Sequence, residues 1–244
     1  GVRQGKKNQV LLGATGTGKT FTINKAPLTV TAKPKTITYG DAPSNDGVTY
    51  SGFVGNESAL VLSGTLTYTY SYAQYGNVGT YNITPGGLSS NNYDITFADG
   101  TLTVGKKALT VTAKEQTVTY GSDIERDLSW INVTGLVADE NVSEITYTPS
   151  TINATNATPG TITPSGVMIV KADGVTDSTS NYEVAYNAGS LNINRKVVVV
   201  TVNDDFSKTY GDADPEFTYD ADGLAYSDTL SGALSREMAG TVDT

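Results

Sequence analysis

Leu28-Thr29-Val30-Thr31-Ala32-Lys33, followed shortly by Tyr39-Gly40-Asp41, is the stretch whose reading decides the fold. Apolar Leu28, Val30 and Ala32 alternate with polar Thr29, Thr31 and Lys33, the two-residue period of a strand with one buried face. Tyr39-Gly40-Asp41 reads as a structural turn. Its glycine permits a sharp reversal, and its aspartate can accept hydrogen bonds from the amides that follow.

The same order returns twice. Leu109-Thr110-Val111-Thr112-Ala113-Lys114 leads to Tyr120-Gly121-Ser122, and Val198-Val199-Val200-Thr201-Val202 leads to Tyr210-Gly211-Asp212. The repeat is thus about 80 to 90 residues long, the size of a small domain rather than of a solenoid unit. Later landmarks keep their order. Gly52-Phe53-Val54, Gly135-Leu136-Val137 and Gly223-Leu224-Ala225 each lead into a short acidic or polar stretch, and the stretch from Gly79 to Pro85 matches that from Gly160 to Pro164. Each of the first two copies closes on a pair of alternating segments, Asn92 to Phe97 with Gly100 to Val104, and Asn181 to Tyr186 with Gly189 to Ile193. The breaks at Ala98-Asp99-Gly100 and Asn187-Ala188-Gly189 predict hairpins whose glycine takes a positive φ.

These boundaries give a leader over 1–23, a first β-module over 24–105, a second over 106–195, and a third copy over 196–244 that stops before its closing pair. The joints Gly105-Lys106-Lys107 and Asn194-Arg195-Lys196 are short, which favours modules following one another without a linker in an extended array. The fold class is all-β. A β-sandwich of the immunoglobulin kind and a β-grasp-like sheet both fit the strand spacing, the latter with a short helix near Asp139 to Ser143.

Composition narrows function. The 244 residues contain 15 Tyr, one Trp, no Cys and no His, and only 17% are charged. Without Cys or His, disulfides, thiolate metal sites, cysteine nucleophiles and imidazole acid–base chemistry are all excluded, so no enzyme and no cofactor are expected. A net charge of −9 opposes binding to nucleic acid or anionic lipid. No apolar run approaches the ~20 residues that span a bilayer, no secretion signal precedes the first module, and a monomer is expected. Asp204-Asp205 and Asp212-Ala213-Asp214 match no calcium loop and read as solvated acidic turns. Leu66, Tyr68, Tyr70 and Tyr72 alternate with Thr and Ser as one packed face of a strand.

On these residues the modules resemble MBG domains, the Tyr-Gly-Asp type found in tandem in bacterial surface adhesins and mucus-binding proteins. The resemblance runs from Asn24 to the end of the chain. It implies a stalk or adhesive repeat at the extracellular bacterial cell surface, with host mucus glycans or extracellular matrix as partners and no catalytic residues. Ser122 stands in the second copy where the others have aspartate, which argues against a shared role for that carboxylate.

The leader carries a different signal. Gly13-Ala14-Thr15-Gly16-Thr17-Gly18-Lys19-Thr20 fits the phosphate-binding G-x-x-x-x-G-K-[ST] pattern, and residues 1–23 resemble the start of the UvrB family of DNA-repair helicases. That resemblance implies an ATP site in which Gly13, Gly16 and Gly18 shape the loop, Lys19 reaches the β and γ phosphates and Thr20 holds magnesium. The context opposes it. Pro27 leads directly into the first strand, leaving room for at most about two helical turns, and no later βαβ pattern supplies a parallel sheet. The expected function is therefore structural and weakly adhesive, with a dedicated glycan-binding module and an ATP-binding helicase fragment as the alternatives.

Overall fold

The computed structural model describes residues 9–11, 20–124, 127–152 and 158–235. Among them there is no α-helix. The first repeat contains β3 (Ala26–Ala32), β4 (Lys35–Thr38), β5 (Val48–Ser51), β6 (Ser63–Tyr70), β7 (Gly79–Ser89), β8 (Tyr93–Ala98) and β9 (Gly100–Gly105). It follows a pair of short antiparallel strands, β1 (Gln9–Leu11) and β2 (Thr20–Thr22). The second repeat contains β10 (Lys107–Ala113), β11 (Gln116–Thr119), β12 (Ile131–Thr134), β13 (Asn141–Thr148), β14 (Gly160–Val170), β15 (Tyr182–Asn187) and β16 (Gly189–Asn194).

Each repeat builds two sheets in the same order. In the first these are β5-β3-β8 and β4-β9-β7-β6, and in the second β12-β10-β15 and β11-β16-β14-β13. The alternating segment explains the arrangement. Leu28, Val30 and Ala32 are buried on the inner face of β3, which packs against β7 and β9 of the other sheet, where Ile83, Leu102 and Val104 are buried. Leu109, Val111 and Ala113 occupy the same positions in β10. Two sheets closed over one apolar layer make a small β-sandwich, and the β-grasp alternative does not fit.

The chain changes sheets five times per repeat, staying in one sheet only from β6 to β7 and from β13 to β14. After β3 it crosses at Lys33-Pro34 to β4, and Pro34, lacking an N–H, could not have extended the first ladder. The crossing from β8 to β9 corrects the expected closing hairpin. β8 pairs in parallel with β3, whereas β9 pairs with β4 and β7, so the segments flanking Asp99 lie in different sheets. Gly100 is required for another reason than a positive φ: a Cβ there would stand 2.5 Å from the Ala32 carbonyl oxygen. Gly189 meets the Ala113 carbonyl at 2.6 Å in the same way.

A second correction concerns the helix considered near Asp139 to Ser143. A turn at Ala138-Asp139 leads straight into β13, whose Ile145 and Tyr147 alternate onto the buried face and fix the strand period. Leu66, Tyr68 and Tyr70 are half-buried and Tyr72 is buried, while the residues between them are exposed.

In the third repeat, β17 (Val199–Val202) pairs antiparallel with β18 (Tyr219–Asp222). Val199, Val200 and Val202 are all about half exposed. Lys208 pairs with Asp214 at 2.6 Å across the acidic turn.

The chain gathers into two compact units, Gly1–Leu109 with Gly135–Asn141 and Ile169–Val184, and Thr110–Thr134 with Val142–Met168 and Ala185–Thr244. Their boundaries do not follow the repeat. Besides its first four residues, two segments of the second copy belong to the unit built on the first.

Candidate functional site

The three Tyr-Gly-X turns share one geometry. In each, the X amide donates to the carbonyl of the residue before Tyr: Asp41 to Thr38 at 3.0 Å, Ser122 to Thr119 at 3.0 Å, and Asp212 to Thr209 at 3.1 Å. Gly40, Gly121 and Gly211 have φ of 94°, 87° and 90°, values that disfavour any side chain. Asp41 accepts from the Thr38 amide, which precedes the turn rather than follows it. Ser122 replaces that aspartate while its turn retains the backbone bond, so the backbone hydrogen bond and the glycine are the elements common to all three.

The tyrosine of the turn is the informative residue. Within the first unit Tyr39 is fully buried, and its hydroxyl donates to Glu140 Oε1 at 2.6 Å. The other carboxylate oxygen of Glu140 accepts from the Tyr182 hydroxyl, which itself accepts from the Val137 amide at 2.9 Å. The Tyr39 and Tyr182 rings meet edge to face, centroids 5.5 Å apart at 80°. Burial, then the hydrogen bond to Glu140 and its charge, hold the Tyr39 phenol well above its ordinary pKa. Burial followed by the Glu140 hydrogen bond does the same for Tyr182. Both oxygens of Glu140 are occupied by phenolic protons, so this carboxylate is built as an acceptor and not as a base.

Further contacts complete this clasp. A Cβ on Gly40 would come within 2.8 Å of the Val137 side chain, so the turn lies directly on that residue. Asn181, fully buried, accepts from the Val78 amide at 2.9 Å and donates to Asn77 Oδ1 at 3.1 Å. Lys171 Nζ donates to the Tyr75 carbonyl at 3.2 Å. Turn and loop of the first repeat thereby grip an apolar-acidic loop and the Asn-Tyr pair of the second.

The second unit repeats the contact. The Tyr120 hydroxyl is hydrogen-bonded to Asp228, which raises its pKa, and a Cβ on Gly121 would meet the buried Ala225 at 2.7 Å. Asp228 lies three residues after Ala225, as Glu140 does after Val137. Tyr210 and Gly211 lie in the third turn, where Tyr210 is 97% exposed.

The acidic loops of the first and second repeats also close internally on their own repeat. In the first, Tyr93 donates to Glu57 and accepts from the Val54 amide at 2.9 Å, the counterpart of Tyr182 with Glu140 and Val137. The landmark glycine fixes that loop. Gly52, Gly135 and Gly223 have φ of 116°, 108° and 94°, and a Cβ on them would stand 2.4, 2.5 and 2.7 Å from the carbonyls of Pro27, Ala108 and Val197.

Glu57 and Glu140 are not picked out by the sequence reading, whereas Asn181 opens one of its closing segments. The signal that finds the two glutamates is the acidic residue at a constant spacing of three after Val54, Val137 and Ala225. Of the leader's phosphate-loop residues, Gly13, Gly16, Gly18 and Lys19 lie outside the described residues. Thr20 opens β2 and pairs with Leu11 of β1 in antiparallel register. Among the described residues, no three of His, Cys, Asp and Glu come together as a metal site.

The fold and the joints define a tandem array of small two-sheet β-modules. A family model for the MBG domain, YGX type, matches residues 28–103, 109–192 and 198–244, and the chain belongs to that family. No curated protein is significantly similar to the chain. Among solved structures it is similar to Drosophila N-cadherin EC1-4, at 9% identity, with 87% of this chain and 66% of that chain covered and a TM-score of 0.24. It is also similar to the fibronectin(III)-like modules of CbhA from Clostridium thermocellum, at 12% identity, with 69% and 94% covered and a TM-score of 0.22. The chain spans just under two thirds of the cadherin fragment. Scores this low add nothing to the architecture already given by the strands.

Proposed function

We propose that this chain is a repeat region of a bacterial cell-surface protein that acts as a stalk and adds weak contacts to host mucus glycans or matrix. The observation that carries the reading is the recurrence of one sandwich joined to the next by the same tyrosine–carboxylate clasp. A spacer needs modules that resist separation at their joints, and partly buried hydrogen bonds to a carboxylate supply that resistance without disulfides. Membership of the MBG family supports the placement at the cell surface. Any adhesion would come from many weak contacts acting together.

Pulling the full chain by its two ends tests the spacer. Two similar unfolding events are expected, each releasing about 80 residues at about 3.6 Å per residue, or roughly 290 Å. A single event releasing most of the chain would contradict independent modules. Titration with soluble mucin tests the adhesive part separately, and absence of binding by the full chain would leave the spacer alone.

A further inference from the structure

We propose that the loop from Phe53 to Glu57 is a receptor for the Tyr-Gly-X turn of another module of the same type. The inference does not depend on the adhesive reading. It rests on comparing equivalent residues with and without a turn seated on them.

Val137 and Ala225, each under a turn glycine, are 8% and 6% exposed, whereas Val54 is 59% exposed. Asn181, held by the loop of the preceding repeat, is fully buried, whereas its counterpart Asn92 is exposed. Glu140 binds two phenols, whereas Glu57 binds only Tyr93 among the described residues. The first repeat thus has the receiving surface in place, built by the equivalent glycine at a similar positive φ and the equivalent tyrosine on the equivalent carboxylate. Phe53 already lies edge to face on Tyr93, centroids 5.5 Å apart at 84°, so an aromatic neighbour suits that ring as Tyr39 suits Tyr182. At the other end, Tyr210 stands almost fully in solvent beside a turn of the geometry that Tyr39 and Gly40 use. An exposed turn tyrosine and an open carboxylate-bearing loop are the two halves of the joint this chain makes twice within itself. The partner chemistry is therefore a phenol on a glycine turn, and a second copy of the chain carries one.

The absence of native cysteine allows a direct test. In the closed joint the Gly40 Cβ position is 3.6 Å from Val137 Cβ, within the range of about 3.5–4.5 Å that a disulfide bridges. Full-length Val54→Cys is mixed with full-length Gly211→Cys under mild oxidation, with Val175→Cys, 80% exposed, replacing Val54→Cys as a collision control. Trapping at least tenfold faster than the control is expected. Sedimentation velocity of the cysteine-free chain up to millimolar concentration gives a second readout that needs no strained substitution, and self-association that Glu57→Ala reduces at least threefold is expected. Trapping at the control rate, or sedimentation indifferent to Glu57→Ala, overturns the proposal.

Discussion

The Tyr39 hydroxyl donates to Glu140 across 101 residues of sequence, from the turn of one repeat to the acidic loop of the next. Because Tyr182 shares the same carboxylate, removing it leaves two buried phenols without an acceptor. Glu140→Ala is expected to destabilise the first unit by about 2–6 kcal/mol, from roughly 1–3 kcal/mol for each of the two unsatisfied buried groups. Glu57→Ala, which deprives Tyr93 alone, should have about half that effect. Urea unfolding of the full chain, followed by tyrosine fluorescence, compares the two.

Alkaline pH attacks the same contact. A phenol whose pKa is raised on folding stabilises the fold fully below its unfolded value of about 10, and that contribution is lost as pH rises toward the folded value. For Tyr39 and Tyr182 together the slope above pH 10 approaches about 2.7 kcal/mol per pH unit at its limit, twice the roughly 1.36 kcal/mol of a single group. Tyr39→Phe should halve that slope. At the acid end the sign reverses for Asp173, whose carboxylate accepts from the Thr176 hydroxyl and amide and the Val175 amide and is held at about 2. Its contribution is present above about pH 4 and disappears as pH falls through 2, which hydrogen exchange at the Val175 and Thr176 amides measures.

The landmark glycines separate two kinds of strain. Gly135 combines a φ of 108° with a carbonyl oxygen 2.5 Å from its Cβ position, whereas Gly47 has a φ of 85° and open space around it. Gly47→Ala should destabilise by about 1 kcal/mol from backbone strain alone. Gly135→Ala adds a backbone clash and is expected to exceed about 3 kcal/mol. Thermal unfolding of the two variants gives the comparison, and equal shifts would show that the close approach is relieved without penalty.

The leader makes a separate prediction. With Thr20 paired to Leu11 in antiparallel strands, the first turn of a phosphate-binding helix is not formed at that residue. Millimolar ATP and magnesium are expected to leave the thermal unfolding midpoint of the full chain unchanged. An upward shift abolished by Lys19→Ala would restore the nucleotide reading.

The inner strands were legible because a buried sheet face imposes a two-residue period, and Leu28, Val30 and Ala32 satisfy it without exception. The glycines were legible as special positions, but their causes were not. Gly100 looked like a turn glycine because β8 and β9 are adjacent in sequence, and nothing local says that the chain changes sheets at Asp99. The turn tyrosines were read as local structure. The hydroxyls of Tyr39 and Tyr120 act on carboxylates of the next repeat, a relation between copies that a period within one copy does not reveal. Glu57 and Glu140 were hidden because an acidic residue in a polar loop ordinarily faces water.

A double-mutant cycle of Tyr39→Phe and Glu140→Ala bears most directly on the claim that successive modules are locked by this contact. The loss of the Tyr182 acceptor is common to both Glu140→Ala arms and cancels, leaving the Tyr39–Glu140 coupling. A coupling of about 1–3 kcal/mol in equilibrium unfolding is predicted. Additivity within about 0.5 kcal/mol would mean that the repeats are merely adjacent, and that the clasp does not hold them.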